Sequence, residues 1–418
     1  MYRQFLFLLF AACCFSCQKT QVPTNMVSTS GIHFYGTSGD LILAGMSKTT
    51  DGGFVFCGHA LPSSTQPNAG FLIKTKANGE VEWQKLFGGP SPNAFAAARQ
   101  TSDGGYIAVG YTASIGLGAL RKDYFTDAWM MKTDSKGNKQ WEKTFGAIYQ
   151  DSFLDVMETN QGFVAVGITC DKDSAYFYQY INQAYVVKTD LGGTPLWSHE
   201  YFIEKDYSEA ETMTIDINGN IDIGCIAIKS DSVIDQGTYY PAFLSISPDG
   251  KKTLAKQFFL GPKSVTRERI ISLPGGLALG CNLNQNSLNS PYIIRTDFLG
   301  NILWQKNLGP GIAFSDLVAQ PSGGCNVVCT SYASGTAPAP EWINMDASGT
   351  PGAKVICNNS NGTSVSSTIS PTLTTIDAIP VNNGWAIALA LAPTFKIDNG
   401  KFALMFTDQN GKIIDNIK

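Results

Sequence analysis

The chain has 418 residues, of which 15% are charged and 42 are glycine, with a formal net charge of -4. That length exceeds what one ordinary hydrophobic core supports, so the chain needs either several domains or a repeat. Lys and Arg are scattered rather than clustered, which argues against a nucleic-acid partner, and few charges beside many glycines suit a turn-rich β protein.

Arg3 precedes a short apolar stretch, Phe5 to Ala12, followed by Cys13, Cys14, Phe15, Ser16 and Cys17. The stretch is too short to span a bilayer and has the layout of an export signal over residues 1–17. Phe15-Ser16-Cys17 ahead of Gln18-Lys19 resembles the end of a bacterial lipoprotein signal. The resemblance implies lipidation at Cys17, an outer-membrane anchor facing periplasm or exterior, and a polar tether over residues 18–31. Cys13, after Phe10-Ala11-Ala12, is a competing site, and cleavage without lipidation gives a secreted protein.

From residue 40 onward one unit recurs, clearest over residues 93–146. An apolar run at Ala94–Ala98 leads to the turn Asp103-Gly104-Gly105, then to Tyr106–Val109 closed by Gly110. After a long loop come Ala128–Thr133, the turn Asp134 to Gly137, and a last segment containing Trp141. Four short runs punctuated by turn chemistry predict a four-stranded antiparallel sheet. The first turn recurs at Gly53, Gly105, Gly162, Gly219, Gly275, Gly324 and Gly384. The second recurs at Gly79, Gly137, Gly193, Gly250, Gly300, Gly349 and Gly411. Steps of roughly 48 to 62 residues lie at or above the range of propeller blades.

The predicted fold is therefore all-β, a seven-bladed β-propeller of four-stranded antiparallel blades. The blades fall near residues 40–89, 93–146, 151–203, 207–260, 266–309, 313–357 and 373–418. Residues 32–36 are expected to close the ring, with Ile32 to Tyr35 at the outer edge of the last blade, beside or instead of Lys412 to Lys418. That placement protects an otherwise open edge.

The second strands read as continuous apolar runs, such as Phe163-Val164-Ala165-Val166, because neighbouring blades cover both faces. Glycines near their ends, Gly58, Gly110, Gly167, Gly224 and Gly280, are expected where backbones crowd or a strand bulges. Third-strand aromatics (Phe71, Trp129, Tyr185, Phe243, Tyr292) and fourth-strand tryptophans (Trp83, Trp141, Trp197, Trp304) recur once per blade, which predicts packing between blades rather than a ligand platform. Beyond Cys17 seven cysteines remain, mostly in strands. Cys325 and Cys329 are about 13 Å apart along one strand, too far to bridge, so buried free thiols are expected.

The phrase Lys132-Thr133-Asp134 to Gly137-Asn138 and Trp141, approximated at 188–197 and 295–304, resembles repeats of large secreted and lipid-anchored bacterial propellers. It is also similar to the tryptophan-docking repeat of quinoprotein propellers, with Lys or Arg where that repeat has Ala and an Asp-to-Gly step one residue shorter. That repeat type occurs as well in the non-catalytic lipoprotein scaffold of outer-membrane barrel assembly, another anchored propeller. These resemblances imply an anchored propeller whose role is binding.

Loops joining second to third strands vary in length and chemistry, unlike the stereotyped tight turns, and share one rim with the blade-to-blade connections. That rim is the expected recognition surface. Its candidates are Arg121, Tyr124 and Phe125 on blade 2, Tyr176, Tyr178 and Tyr180 on blade 3, and Tyr239 and Tyr240 on blade 4. Together they suit a protein or a glycan.

Catalytic signals are weak: there is no GxSxG, phosphate loop or HExxH, and His33, His59 and His199 lie far apart. Glu209 and Glu211 share a strand face at about 6–7 Å, which is not by itself a catalytic pair. The Asp-x-x-Gly turns lack the spacing of a calcium loop, so each Asp is expected to hold its own turn. The sequence predicts a monomeric, non-catalytic cell-envelope lipoprotein with no cofactor and no metal. The alternative is an enzyme at the central opening, either a quinoprotein-like dehydrogenase or a carbohydrate-active hydrolase or lyase.

Overall fold

The computed structural model describes residues 27–29, 31–36, 40–61, 69–117, 119, 125–147, 149–170, 182–203, 207–228, 239–260, 264–285, 288–332, 338–358, 373–391 and 401–414. They form 29 strands in seven antiparallel sheets, with no α-helix among the described residues. Each sheet is one blade. The inner strands are Asp40–Lys48, Asn93–Gln100, Asp151–Thr159, Tyr207–Ile215, Ser264–Leu273, Ile312–Ala319 and Leu373–Val381. Each touches the next and the last touches the first, so the protein is a seven-bladed β-propeller.

Burial follows the layering. Second and third strands, such as Tyr106–Thr112 and Asp127–Thr133, are covered on both faces, whereas the outer strand Lys139–Phe145 is largely wet. Each of the seven seams holds its own apolar cluster. Between blades 1 and 2, for example, Val55, Cys57 and Leu72 pack against Phe95, Ala108 and Trp129. A single sheet cannot dry both faces, so each blade needs a neighbour on either side.

The ring closes through Ile32–Tyr35, which pairs antiparallel with the third strand of blade 7, Ile32 opposite Met405. Val27–Thr29 then folds back on it, Val27 opposite Phe34, and makes the last sheet five-stranded. Residues 27–29, within the stretch expected as tether, are thus paired, and Gly31, at φ 73°, lets the chain reverse here. Lys412 and Ile413 make only isolated bridges, so the C-terminal stretch up to Ile414 does not supply the outer strand.

Every inner strand carries a β-bulge, placing an extra residue at Ala44, Ala96, Leu154, Glu211, Arg267, Ser315 and Ile376. Gly58, Gly110 and Gly167 pair with the residue just before the bulge, where a Cβ would lie within 2.1 Å of a carbonyl oxygen. Crowding and bulging are therefore one feature. Gly224 and Gly280 fall elsewhere in the register, opposite Thr212 and Arg269. A Cβ on Gly280 would instead meet the Phe314 ring of the next blade at 2.5 Å.

The recurring phrase has a mechanical reading. Asp134 Oδ1 accepts hydrogen bonds from the amides of Lys136 and Asn138, and Asp297 and Asp346 do the same in their turns. The buried Lys132 ammonium reaches Asp103 at 2.8 Å and the Thr133 carbonyl at 3.0 Å, tying one tight turn to the other. Lys74 and Arg295 tie turns in their own blades, and Lys188 also reaches the Pro248 carbonyl of the next. A cation thus takes the position that the quinoprotein repeat gives Ala.

Each outer-strand tryptophan lies on the following blade's turn glycine: Trp83 on Gly137, Trp141 on Gly193, Trp197 on Gly250 and Trp304 on Gly349. The indoles of Trp83 and Trp304 also donate to the Ser135 and Ala347 carbonyls at 3.1 and 3.0 Å. His33 takes this place at the closing seam, over Gly79. In blade 4 the third-strand aromatic Phe243 sits opposite Gly224, as Trp129 does opposite Gly110, but Gly224 pairs just after its bulge and Gly110 just before. All seven cysteines of the propeller are buried and unpaired.

Candidate functional sites in the central channel and on the loop rim

The inner strands enclose a cavity of about 330 Å³ to which all seven blades contribute. Its wall is lopsided. Blades 1 and 2 offer Ala44, Gly45, Ala96 and Ala97, whereas Arg99, Asp155, Arg269, Asp316 and Asp377 bring charge from blades 2, 3, 5, 6 and 7. In a sheet otherwise selected for apolar burial, such charges persist only if they are paired.

They are paired across seams or, for Arg269 and Asp377, past the intervening blade 6. The Arg99 guanidinium meets Asp155 at 2.8 Å and donates through Nε to the Val156 carbonyl at 2.7 Å. The other Asp155 oxygen accepts from the Met213 amide at 3.2 Å. On the far side Arg269 lies 3.6 Å from Asp316 and 3.4 Å from Asp377, whose second oxygen accepts from the Met46 amide at 2.7 Å. Neutral hydrogen bonds supply the remaining seams: Ser47 Oγ to the Ala98 carbonyl at 2.8 Å, the Ile270 amide to Thr212 Oγ1 at 3.1 Å, and the Thr375 amide to Thr330 Oγ1 at 2.9 Å. Every blade is thus linked to the next by at least one polar contact near the axis.

Two charges stand apart. Glu211 and Arg267 occupy the bulge positions of blades 4 and 5, and neither makes a hydrogen bond or ion pair among the described residues. Burial, and then the charge of Glu209, pushes the Glu211 carboxyl up to about 7. Arg267 has φ 55°, a left-handed backbone rarely adopted by residues other than glycine, and the other six bulged residues do not share it. Because Glu211 is the extra residue of a bulge, strict strand alternation does not describe its relation to Glu209.

On the rim, Arg121, Tyr124, Tyr176, Tyr178 and Tyr180 lie outside the described residues. Phe125 is half-buried and meets the Tyr149 ring edge-on, with centroids 5.8 Å apart. Tyr239 is exposed, while Tyr240 is buried against Phe259 at 5.0 Å, with Phe259 itself exposed. Blade 4 therefore presents the Tyr240–Phe259 pair, with exposed Tyr239 next in the chain. Phe259 belongs to the connection leading to blade 5, a signal that blade-to-blade segments carried and that the second-to-third-strand loops did not.

The histidines stay apart. His33 and His199 pack in seams beside Phe406 and Trp197, and His59 is half-buried near the end of its strand, with burial lowering its pKa. Sequence reading missed the channel residues, although a charge inside each of several inner strands was a visible signal.

No family model matches the chain, and no curated protein matches it. Among solved structures, two of a polysaccharide lyase, an ulvan lyase, match with TM-scores of 0.57 and 0.56 at 8% identity, covering 91% of this chain and 97% of that one. A protein of unknown function from Bacteroides caccae matches with a TM-score of 0.40 at 14% identity, over 69% of this chain and 89% of that one. At such identities, the ulvan lyase likeness establishes the β-propeller fold and nothing narrower.

Proposed function

We propose that the protein is a non-catalytic propeller of the bacterial cell envelope, anchored through a lipid on Cys17, that holds a protein or a glycan on its loop rim. The observation that carries this reading is the channel network, in which Arg99, Asp155, Arg269, Asp316 and Asp377 are engaged with one another or with backbone amides of neighbouring blades. Groups held in that way brace a ring; acid–base turnover needs a group free to exchange its proton with a substrate. The exposed aromatics Tyr239 and Phe259 support the rim as the contact surface.

The test is affinity capture from native membranes with the wild-type chain and with Tyr178→Ala combined with Tyr240→Ala. Weakened capture with an unchanged far-ultraviolet spectrum is expected; undiminished capture removes the rim from the proposal. Labelling with a fatty-acid analogue tests the anchor, and label retained in Cys17→Ala excludes that residue.

A second reading, a carbohydrate-active hydrolase or lyase at the central opening, draws on Glu211 and Arg267, which stand next to the cavity-lining Thr212 and two residues before Arg269 without lining the cavity themselves. A carboxyl held near 7 is suited to proton transfer at neutral pH, and an arginine without an ion pair is suited to an acidic sugar. Release of new sugar ends from uronate polysaccharides, lost in Glu211→Gln, would establish it. No release from any of them would leave the binding role in place.

A further inference from the structure

A groove away from the axis, between blades 6 and 7, has a volume of about 680 Å³. Its origin can be read from the repeat. In blades 1, 2, 3 and 5 the outer-strand tryptophan stands directly across from a cation on the third strand: Trp83 from Lys74, Trp141 from Lys132, Trp197 from Lys188 and Trp304 from Arg295. Residues paired across two strands share a face, so the stem of each cation runs beside its indole, and all four cations are buried. Blade 4 puts Leu254, packed on its seam core, across from Ser245; blade 6 also changes both members of the pair but with a smaller side chain. Ala353 stands four residues after the turn glycine, where the tryptophan belongs, and Asn344 stands two before the turn aspartate, where the cation belongs. Asn344 is exposed, and both residues line the groove.

What replaces the missing ring is polar and uncharged. Asn326 lies directly across from Asn344, and Gln320 Nε2 donates to Asn326 Oδ1 at 2.8 Å, so the blade 6 wall carries a row of side-chain amides. Trp342 and Trp385, from the two blades, meet with ring centroids 5.3 Å apart and give the groove an apolar base. No Lys or Arg is among the lining residues, and Asp346 adds a negative charge.

We infer that this groove is a binding site for a neutral sugar residue of a glycan chain. Amide groups both donate and accept, which matches hydroxyls that do the same, and indole edges suit the C–H surface of a pyranose ring. A volume within the roughly 300–1,000 Å³ typical of ligand sites holds one or two such rings. Uronates and sulfated sugars are disfavoured, since no cation faces them and Asp346 repels them. An aromatic side chain from a partner protein would want the hydrocarbon stem that the other seams provide, and here a short amide has replaced it. The site lies on the tight-turn side of the ring, opposite the loop rim, and is independent of the reading above.

The experiment is calorimetric titration of the full chain, with tryptophan fluorescence in parallel, using neutral hexasaccharides of glucose, mannose, galactose and xylose and a hexauronate as charged control. At least one neutral hexasaccharide is expected to bind and to shift the tryptophan emission. Ala353→Trp, which refills the docking position, is expected to weaken that binding at least tenfold while leaving the midpoint of thermal unfolding unchanged or higher. Asn344→Leu removes the amide at an exposed position without filling the groove, and is expected to lose a similar factor with normal unfolding. Failure of all four neutral probes, affinity undiminished in both variants, or tighter binding of the hexauronate would each overturn the assignment.

Discussion

Arg99 on the second blade meets Asp155 on the third at 2.8 Å, across a seam and 56 residues along the chain. The pair is asymmetric: the Asp155 side chain is 7% exposed, whereas that of Arg99 is 43% exposed to channel water. Asp155 also accepts from the amides of Val156 and Met213, so one carboxylate joins three blades.

Asp155→Ala is therefore expected to destabilise the ring by about 2–4 kcal/mol, since it strands two amides and a guanidinium together. Arg99→Met should cost less, because the arginine is partly solvated and its pairing is screened. Urea unfolding of the two variants decides it. Equal losses would mean that the ion pair, rather than the amide bonds, dominates.

Trp129 is fully buried and stacks on Phe95 with centroids 4.4 Å apart, whereas Trp83 is half-buried over a turn. Trp129→Ala is expected to cost about 3–5 kcal/mol and Trp83→Ala roughly half as much, following the apolar area each removes. A larger loss at Trp83 would show that the docking contact, not the core, governs seam strength.

Asp151 and Asp222 are buried, and burial pushes each carboxyl up to about 7. Their folded pKa values lie above the unfolded value of about 3.8, so the folded state holds the extra proton between those limits. Their contribution is fully present below about pH 4 and is lost as pH rises towards 7. Asp222→Asn should flatten that part of the stability profile and raise stability at pH 8, as measured by chemical denaturation from pH 4 to 8. An unchanged profile would refute the assignment.

Burial raises the thiol pKa of Cys57, Cys225, Cys281, Cys329 and Cys357 well above the ordinary range. A maleimide should leave all seven propeller cysteines unmodified in the native protein and label them only in denaturant. Mass spectrometry of the labelled native chain counts them. A rapidly labelled cysteine among the seven would mark a seam that opens.

Much of the architecture was legible because the determinants are local. Gly104 has φ 81°, and a Cβ on the following Gly105 would sit 2.2 Å from the Thr133 carbonyl, so Asp103-Gly104-Gly105 marks a hairpin wherever it occurs. The tryptophans were legible for a similar reason: a contact repeated at every seam imposes a period on the chain. Arg99, Arg269 and Asp377 were not, because no spacing along the chain relates residues that meet only across a closed ring. The bulges contributed too, moving Glu211 and Arg267 out of the alternation by which strand faces are read.

By itself the sequence determined the strands, the turns, the count of seven and the residue types that line the seams, because hairpin geometry and two-sided burial act within one blade and its neighbour. Tertiary structure alone decided which charges meet around the axis and that the loss of a tryptophan at Ala353 opens a groove. Both depend on closing the ring: only when the seventh blade meets the first do inner strands face a common cavity, and only beside seams filled by tryptophan, by Leu254 or by His33 does Ala353 leave a position open.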